Sequence, residues 1–102
     1  MKIIEKMSDF IDDEICGAKD YAKMAIELKD EYPAISETFY DLSKEEAKHM
    51  NVLHEIVVKI IEKYRQDNGE PPADMLAVYQ YLHKKHIEKY EEAKRYQDMY
   101  KL

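Results

Sequence analysis

Apolar residues recur along the first part of the chain in alternating steps of four and three. One series runs from Ile4 to Leu28 and a second runs from Ile35 to Ile60. Such steps trace one face of an α-helix, so two long helices are predicted, each with one apolar face. The predicted faces are Ile4, Met7, Ile11, Glu14, Ala18, Tyr21, Ala25, Leu28, and then Ile35, Phe39, Leu42, Glu46, His49, Leu53, Ile56, Ile60.

Two interruptions divide the chain into three helices. Pro33 ends the first pattern, because proline disfavours helical geometry in the residue before it and fits the first turn of the next helix. The second interruption combines Gly69, suited to a left-handed helix cap, with Pro71 and Pro72, which can open a new helix. We predict an all-α fold, a single domain over residues 1–102 with long antiparallel helices near 2–30, 34–67 and 72–101.

Three polar residues interrupt the two apolar faces. Glu14, Glu46 and His49 occupy positions where the pattern calls for apolar side chains. A carboxylate carried into a bundle core is costly unless it is paired, protonated or bound to a metal. Counting outward from the first turn puts all three at about the same height in the bundle. We therefore predict that they share one partner, most simply a metal ion.

The Glu46-Ala47-Lys48-His49 segment has the Glu-x-x-His spacing, which puts a carboxylate and an imidazole on one helix face. The spacing alone arises readily by chance in a chain this rich in glutamate. The position of the pair is what indicates a metal site, since Leu42 and Leu53 flank it on the apolar face and Glu14 lies on the apolar face of the preceding helix. A self-contained network of buried polar groups is the alternative reading of the same three residues.

Composition excludes several classes of partner. Lysine and arginine number 16 and aspartate and glutamate 22, for a net charge of -6, and the two signs are mixed along every helix. Nucleic acid is therefore not expected as a partner. No stretch approaches the roughly 20 apolar residues of a membrane span, and the lone Cys16 can form no disulfide within the chain. A cytoplasmic protein, or one inside a protein compartment, is the expectation.

Residues 5–65 resemble the ferritin-like superfamily, in particular its rubrerythrin, bacterioferritin and encapsulated-ferritin branches. The resemblance rests on Glu14, with Ala18 and Tyr21 following on the same face, and on Glu46-x-x-His49 some thirty residues later. It implies that Glu14, Glu46 and His49 bind iron, with a glutamate bridging two ions. Manganese is possible there, and zinc could bind adventitiously. The implied activity is oxidation of Fe(II) by dioxygen or peroxide, for iron storage or peroxide detoxification.

This chain has only half of the metal ligands that the family pattern requires. A complete di-iron bundle takes a Glu from each of two helices and a Glu-x-x-His from each of two more, whereas this chain has one such set. Two copies related by a two-fold axis would supply the full complement, an arrangement that resembles encapsulated ferritins. We therefore expect a homodimer or a larger homo-oligomer. An enclosing shell or a redox partner would be consistent with the same resemblance.

The third helix offers only secondary candidates. Glu92 and His86 are alternative metal ligands, although such residues more often lie at a solvated surface or an interface. Tyr21 is a candidate for supporting a ligand or lending an electron, with a purely structural core tyrosine as the alternative. His54 is expected to be exposed or at an interface, and His83 to be exposed. Tyrosines crowd helix 3 and make it a candidate assembly surface, with burial in the core as the alternative for those on its apolar face.

A second class of function stays open, a non-catalytic helical module that binds a partner through amphipathic helices. It differs from the metal-binding reading only in the role of Glu14, Glu46 and His49.

Overall fold

Three long helices make up the computed structural model, which describes residues 2–102. They are α1 (Lys2–Leu28), α2 (Pro33–Asn68) and α3 (Ala73–Tyr100), and no β-strand occurs within the described residues. The all-α prediction is confirmed, and every helix begins and ends within two residues of the predicted positions. The helices form a rod of 56 × 18 × 18 Å. Nowhere in residues 2–102 is a helix both long and apolar enough to cross a membrane.

Proline and glycine define the two connections as predicted. Pro33 is the first residue of α2, and its missing N–H costs nothing there because the first turn of a helix has no internal acceptor for it. Gly69 follows α2 with a φ of 82°, and its backbone N–H donates to the Arg65 carbonyl at 2.9 Å. Both turns are short, so successive helices run antiparallel.

Helix α1 packs along both of the other helices, whereas α2 and α3 meet mainly through long side chains. Its residues at 0% exposure are all small, namely Ala18, Ala22 and Ala25. Small side chains let the backbones of two helices approach closely. Across the wider gap between α2 and α3, Tyr40 stacks on Tyr100 and Gln97 donates to Ser43 at 2.9 Å.

Two buried serines fix the register of α2 against α1. Ser43 donates to the carbonyl of Ala18 at 2.5 Å, and Ser36 donates to the carbonyl of Ala25. The serines are seven residues apart, as are the alanines, so the two contacts repeat after two helical turns. Extending the same antiparallel register by one turn sets Glu14 opposite Ala47.

The predicted apolar face of α2 is wrong by one residue. The buried residues of this helix are each one position beyond a predicted member: Ser36, Ser43, Ala47, Val57 and Ile61. Since one residue turns a helix by about 100°, the larger side chains lie at the flank of the contact, and Ile35 is 50% exposed. The physical reason is that serine and alanine permit a closer approach than isoleucine or leucine.

We expect Ser43→Ala to lower the free energy of unfolding by about 1–3 kcal/mol, because it leaves the buried Gln97 amide without its acceptor. Ser36→Ala is the matched control, since it removes one serine–carbonyl bond but no second partner, and should cost about 1 kcal/mol. Urea denaturation of both variants measures the difference. Equal losses would contradict the role assigned to Gln97.

Candidate metal centre

The structure brings Glu14, Glu46 and His49 together between α1 and α2. One ligand atom from each lies within 4.8 Å of the other two. The Nδ1 atom of His49 is 3.3 Å from Oε2 of Glu14 and 3.8 Å from Oε1 of Glu46. We call these three residues the Glu–Glu–His cluster.

These separations suit a shared metal ion. With metal–ligand bonds of about 2.1 Å, two adjacent ligand atoms are about 3.0 Å apart and two opposite ones about 4.2 Å. The 3.3 and 3.8 Å distances from His49 lie between those limits. Small side-chain movements would therefore gather all three donors around one ion. Carboxylate oxygens together with an imidazole nitrogen suit iron, manganese or zinc.

The register of the helices explains why the cluster forms. Glu14 lies opposite Ala47, and Glu46 and His49 reach towards it from either side of that position. Gly17 leaves space for the second glutamate, since a Cβ atom built on Gly17 would come within 3.1 Å of Oε2 of Glu46. A glycine inside a helix costs about 1 kcal/mol relative to alanine, and here it accommodates a carboxylate.

The cluster lies at the open edge of the contact between α1 and α2, not in the core. The side chains of Glu14 and Glu46 are 26% and 23% exposed, and that of His49 is 56% exposed. The expectation that the three are core residues is wrong. On α2 the displaced apolar face accounts for Glu46 and His49, and on α1 Ile15 is buried in place of Glu14. An open edge leaves room for further ligands from outside the chain.

Crowding of the two carboxylates shifts the protonation of Glu46. Its pKa rises from 4.5 to about 7, because it shares a hydrogen bond with Glu14, loses solvent and lies next to the Glu14 charge; His49 opposes the rise. Near neutral pH a proton is therefore shared within the pair. A divalent cation would replace that proton and neutralise both carboxylates.

The other predicted site residues lie outside the cluster. Glu92 pairs with Lys19 at 3.1 Å on the α1–α3 side. Tyr21 is two helical turns beyond Glu14, and its ring packs against Phe39 with centroids 5.9 Å apart. Their proposed roles as ligand and as electron donor stay predictions.

His86 is buried rather than solvated. Its Nε2 atom is 3.1 Å from Oγ of Ser8 and 3.5 Å from Oδ1 of Asp12, on the opposite side of α1 from Glu14. Its proposed role as a ligand for the Glu–Glu–His cluster also stays a prediction.

The sequence predicts a solvated His83 and a His54 that is exposed or at an interface. The prediction for His83 is wrong, whereas an interface position for His54 stays a prediction. Both are half-buried, and their rings stack across the gap between α2 and α3 with centroids 4.4 Å apart. The sequence does indicate that His83 lies on the same side of α3 as the buried His86, because the two are three residues apart and therefore share a helix face. This indication was missed because the neighbouring Lys84 and Lys85 mark that segment as solvated.

The fold is a bundle of three long helices with a candidate metal-binding cluster of two carboxylates and a histidine between the first two. The sequence profile of the Rubrerythrin family matches residues 6–102, so the chain belongs to that family of ferritin-like proteins, which generally bind iron. Comparison with curated proteins finds no match, and comparison with solved structures finds none either.

The raised pKa of Glu46 predicts how stability without metal depends on pH. Between pH 4.5 and about 7 the unfolded chain ionises this carboxyl before the folded chain does, so its contribution to folding stability falls as pH rises. Below that window both states are protonated, and above it both are ionised. Glu46→Gln should flatten this part of the profile, as measured by urea unfolding in chelator at several pH values.

Glu37→Gln is the control, because Glu37 is an exposed glutamate of the same helix nine residues from Glu46, whereas Glu45 itself contributes to the raised pKa of Glu46. If wild type and Glu46→Gln keep a constant stability difference from pH 4.5 to 7.5, the two carboxylates do not share a proton.

Proposed function

We propose that this protein binds Fe(II) at the Glu–Glu–His cluster and oxidises it with dioxygen or peroxide, for iron storage or peroxide detoxification. The observation that carries the proposal is the convergence of two carboxylates and an imidazole within 4.8 Å. Membership of the Rubrerythrin family supports the choice of iron. Manganese is the next candidate, and zinc would bind the same donors without redox chemistry.

Each residue has a distinct task under this proposal. Glu14 and Glu46 supply hard oxygen ligands, which favour the oxidised state of the ion, and His49 supplies a neutral nitrogen. Bound iron would supply the electrons for reduction of dioxygen or peroxide. Glu46 gives up its proton as the cation enters, so binding should strengthen as pH rises through about 7.

One chain supplies only half of a di-iron donor set. Four carboxylates and two imidazoles make up a complete site in this class of bundle. The Glu–Glu–His cluster of one chain supplies two of the carboxylates and one of the imidazoles. Two copies facing each other across a two-fold axis would bring together the full number. We therefore propose a homodimer that shares the site, alone or as the unit of a larger assembly, with a shell or redox partner as a further possibility.

The surface around the cluster supports a second copy as the occupant. Phe10 and Ile56 share the helix faces of Glu14 and His49, and both are exposed, as are Ile3 and Ile35 further along the same sides of α1 and α2. Exposed apolar residues that follow one side of a molecule are typical of a protein–protein interaction surface. A two-fold interface is self-complementary, so a single apolar surface serves both partners.

Two tyrosines of α3 make contacts within the chain, which favours an interface on α1 and α2 over one on α3. Tyr100 stacks on Tyr40, and Tyr96 lies under the ammonium group of Lys23, so both are engaged within the chain. They are less available as the assembly surface than the sequence suggested.

The same apolar surface would also serve the alternative function, a helical module that binds another protein. Cys16 is exposed and unpaired, which suits the reducing cytoplasm that we propose as the location in either case. Iron binding discriminates between the two functions.

Aerobic titration with Fe(II), followed by ferric absorbance and by iron per chain, tests the activity. We expect oxidation that saturates near one iron per chain in wild type, because a shared pair of ions divides equally between two copies. Glu46→Ala should abolish it, since half of the carboxylates would be lost. Glu45→Ala, one residue away and exposed, should behave as wild type. Binding no stronger in wild type than in Glu46→Ala would favour the interaction module.

Sedimentation velocity tests the dimer. Ile56→Asp should shift the protein towards the monomer, because it puts a charge in the proposed interface seven residues from His49. Val78→Asp on α3 is the matched control, since Val78 is also an exposed β-branched residue but lies outside that surface. A monomeric wild type at all concentrations, with and without Fe(II), would rule out the shared site.

A further inference from the structure

A cleft between α2 and α3 gathers the three histidines that lie outside the Glu–Glu–His cluster. It has a volume of about 220 Å³, and His54, His83 and His86 line it together with Met50, Asn51 and Tyr90. We call it the histidine cleft. It exists because α2 and α3 are held apart by long side chains while α1 packs closely against both.

The cleft lies on a different side of α1 from the cluster. Asp12, which contacts His86, and Glu14, which contacts His49, are two residues apart on α1. Two residues turn a helix by about 200°, so the two side chains point in nearly opposite directions. A ligand in the histidine cleft therefore shares no donor with the cluster.

His86 is held as ligating histidines usually are. Its Nε2 atom is fixed by Ser8 at 3.1 Å and faces Oδ1 of Asp12 at 3.5 Å. In the tautomer that carries its proton on Nε2, this nitrogen donates to the hydroxyl or the carboxylate, which orients the ring and leaves the other nitrogen with a lone pair for a metal. Here the free nitrogen is Nδ1, on a residue that lines the cleft.

His54 and His83 line the same cleft from two different helices, and in the structure the ligand atoms of the three histidines do not all lie within 4.8 Å of one another. The rings of His54 and His83 stack at 4.4 Å with planes 20° apart, an arrangement in which the nitrogen lone pairs do not converge on one point. Binding requires the rings to rotate out of the stack, and the open volume of the cleft provides the space. Burial lowers the pKa of both His54 and His86, which keeps these imidazoles neutral and able to bind a metal at neutral pH.

We propose that the histidine cleft is a second metal site, in which His54, His83 and His86 bind a divalent late transition ion such as Co(II), Ni(II), Cu(II) or Zn(II). Three neutral nitrogen donors suit these ions and bind Mg²⁺ or Ca²⁺ poorly, because those cations require oxygen ligands. An ion there would join α2 to α3 at the place where their direct contacts are few. The proposal does not depend on iron oxidation at the cluster.

Co(II) is the probe, because its visible absorption reports the number and kind of its ligands. The full chain carrying Glu14→Gln, Glu46→Gln and His49→Gln removes the first site. We expect this variant to bind one Co(II) per chain with the spectrum of nitrogen ligation and without competition from excess Mg²⁺. Adding His54→Phe and His83→Phe, which keep an aromatic pair in the stack, should weaken binding by about tenfold or more.

Tyr79→Phe in the same background is the control, because the Tyr79 ring also stacks on His83 but carries no nitrogen. It should leave the affinity for Co(II) unchanged, and circular dichroism of each variant verifies that the helices are retained. The absence of Co(II) binding in the triple variant would overturn the proposal. So would binding that survives loss of His54 and His83, or binding that Mg²⁺ displaces.

Discussion

The close contact between α1 and α2 is the constraint on which the rest of this structure depends. Ser36 and Ser43 donate to the carbonyls of Ala25 and Ala18, and these four small residues let the two backbones approach. The contact sets both the register and the rotation of α2. Because of that register, Glu14 lies between Glu46 and His49, so packing interactions one to three turns away from the cluster determine the position of its ligand atoms.

The same constraint accounts for the openness of the cluster. Rotation of α2 by one residue moves Glu46 and His49 from the core to the edge of the contact, together with the larger apolar residues of their face. The two glutamates still crowd each other enough to raise the pKa of Glu46 to about 7. Charge repulsion between the two carboxylates therefore favours a bound cation, while the exposed apolar surroundings favour a protein partner, which under the proposed function is a second copy of the chain.

Much of this could be predicted from the sequence. Proline, glycine and the apolar periodicity define three helices, because these signals act within a few residues. The Glu-x-x-His spacing with Glu14 indicates the cluster. The rotation of α2 could not be predicted, because it depends on whether serine or isoleucine lies nearest to α1, and a periodic pattern tolerates either. The contacts of His54 and His83 depend on the gap between α2 and α3, which no local signal encodes.

Anomalous diffraction at the iron edge, from crystals of the protein loaded with Fe(II), tests the central claim most directly. The account predicts two iron peaks about 3.5–4 Å apart, lying between two copies of the chain and within bonding distance of Glu14, Glu46 and His49 of each. A single iron bound to one isolated chain, or iron bound away from the Glu–Glu–His cluster, would contradict it.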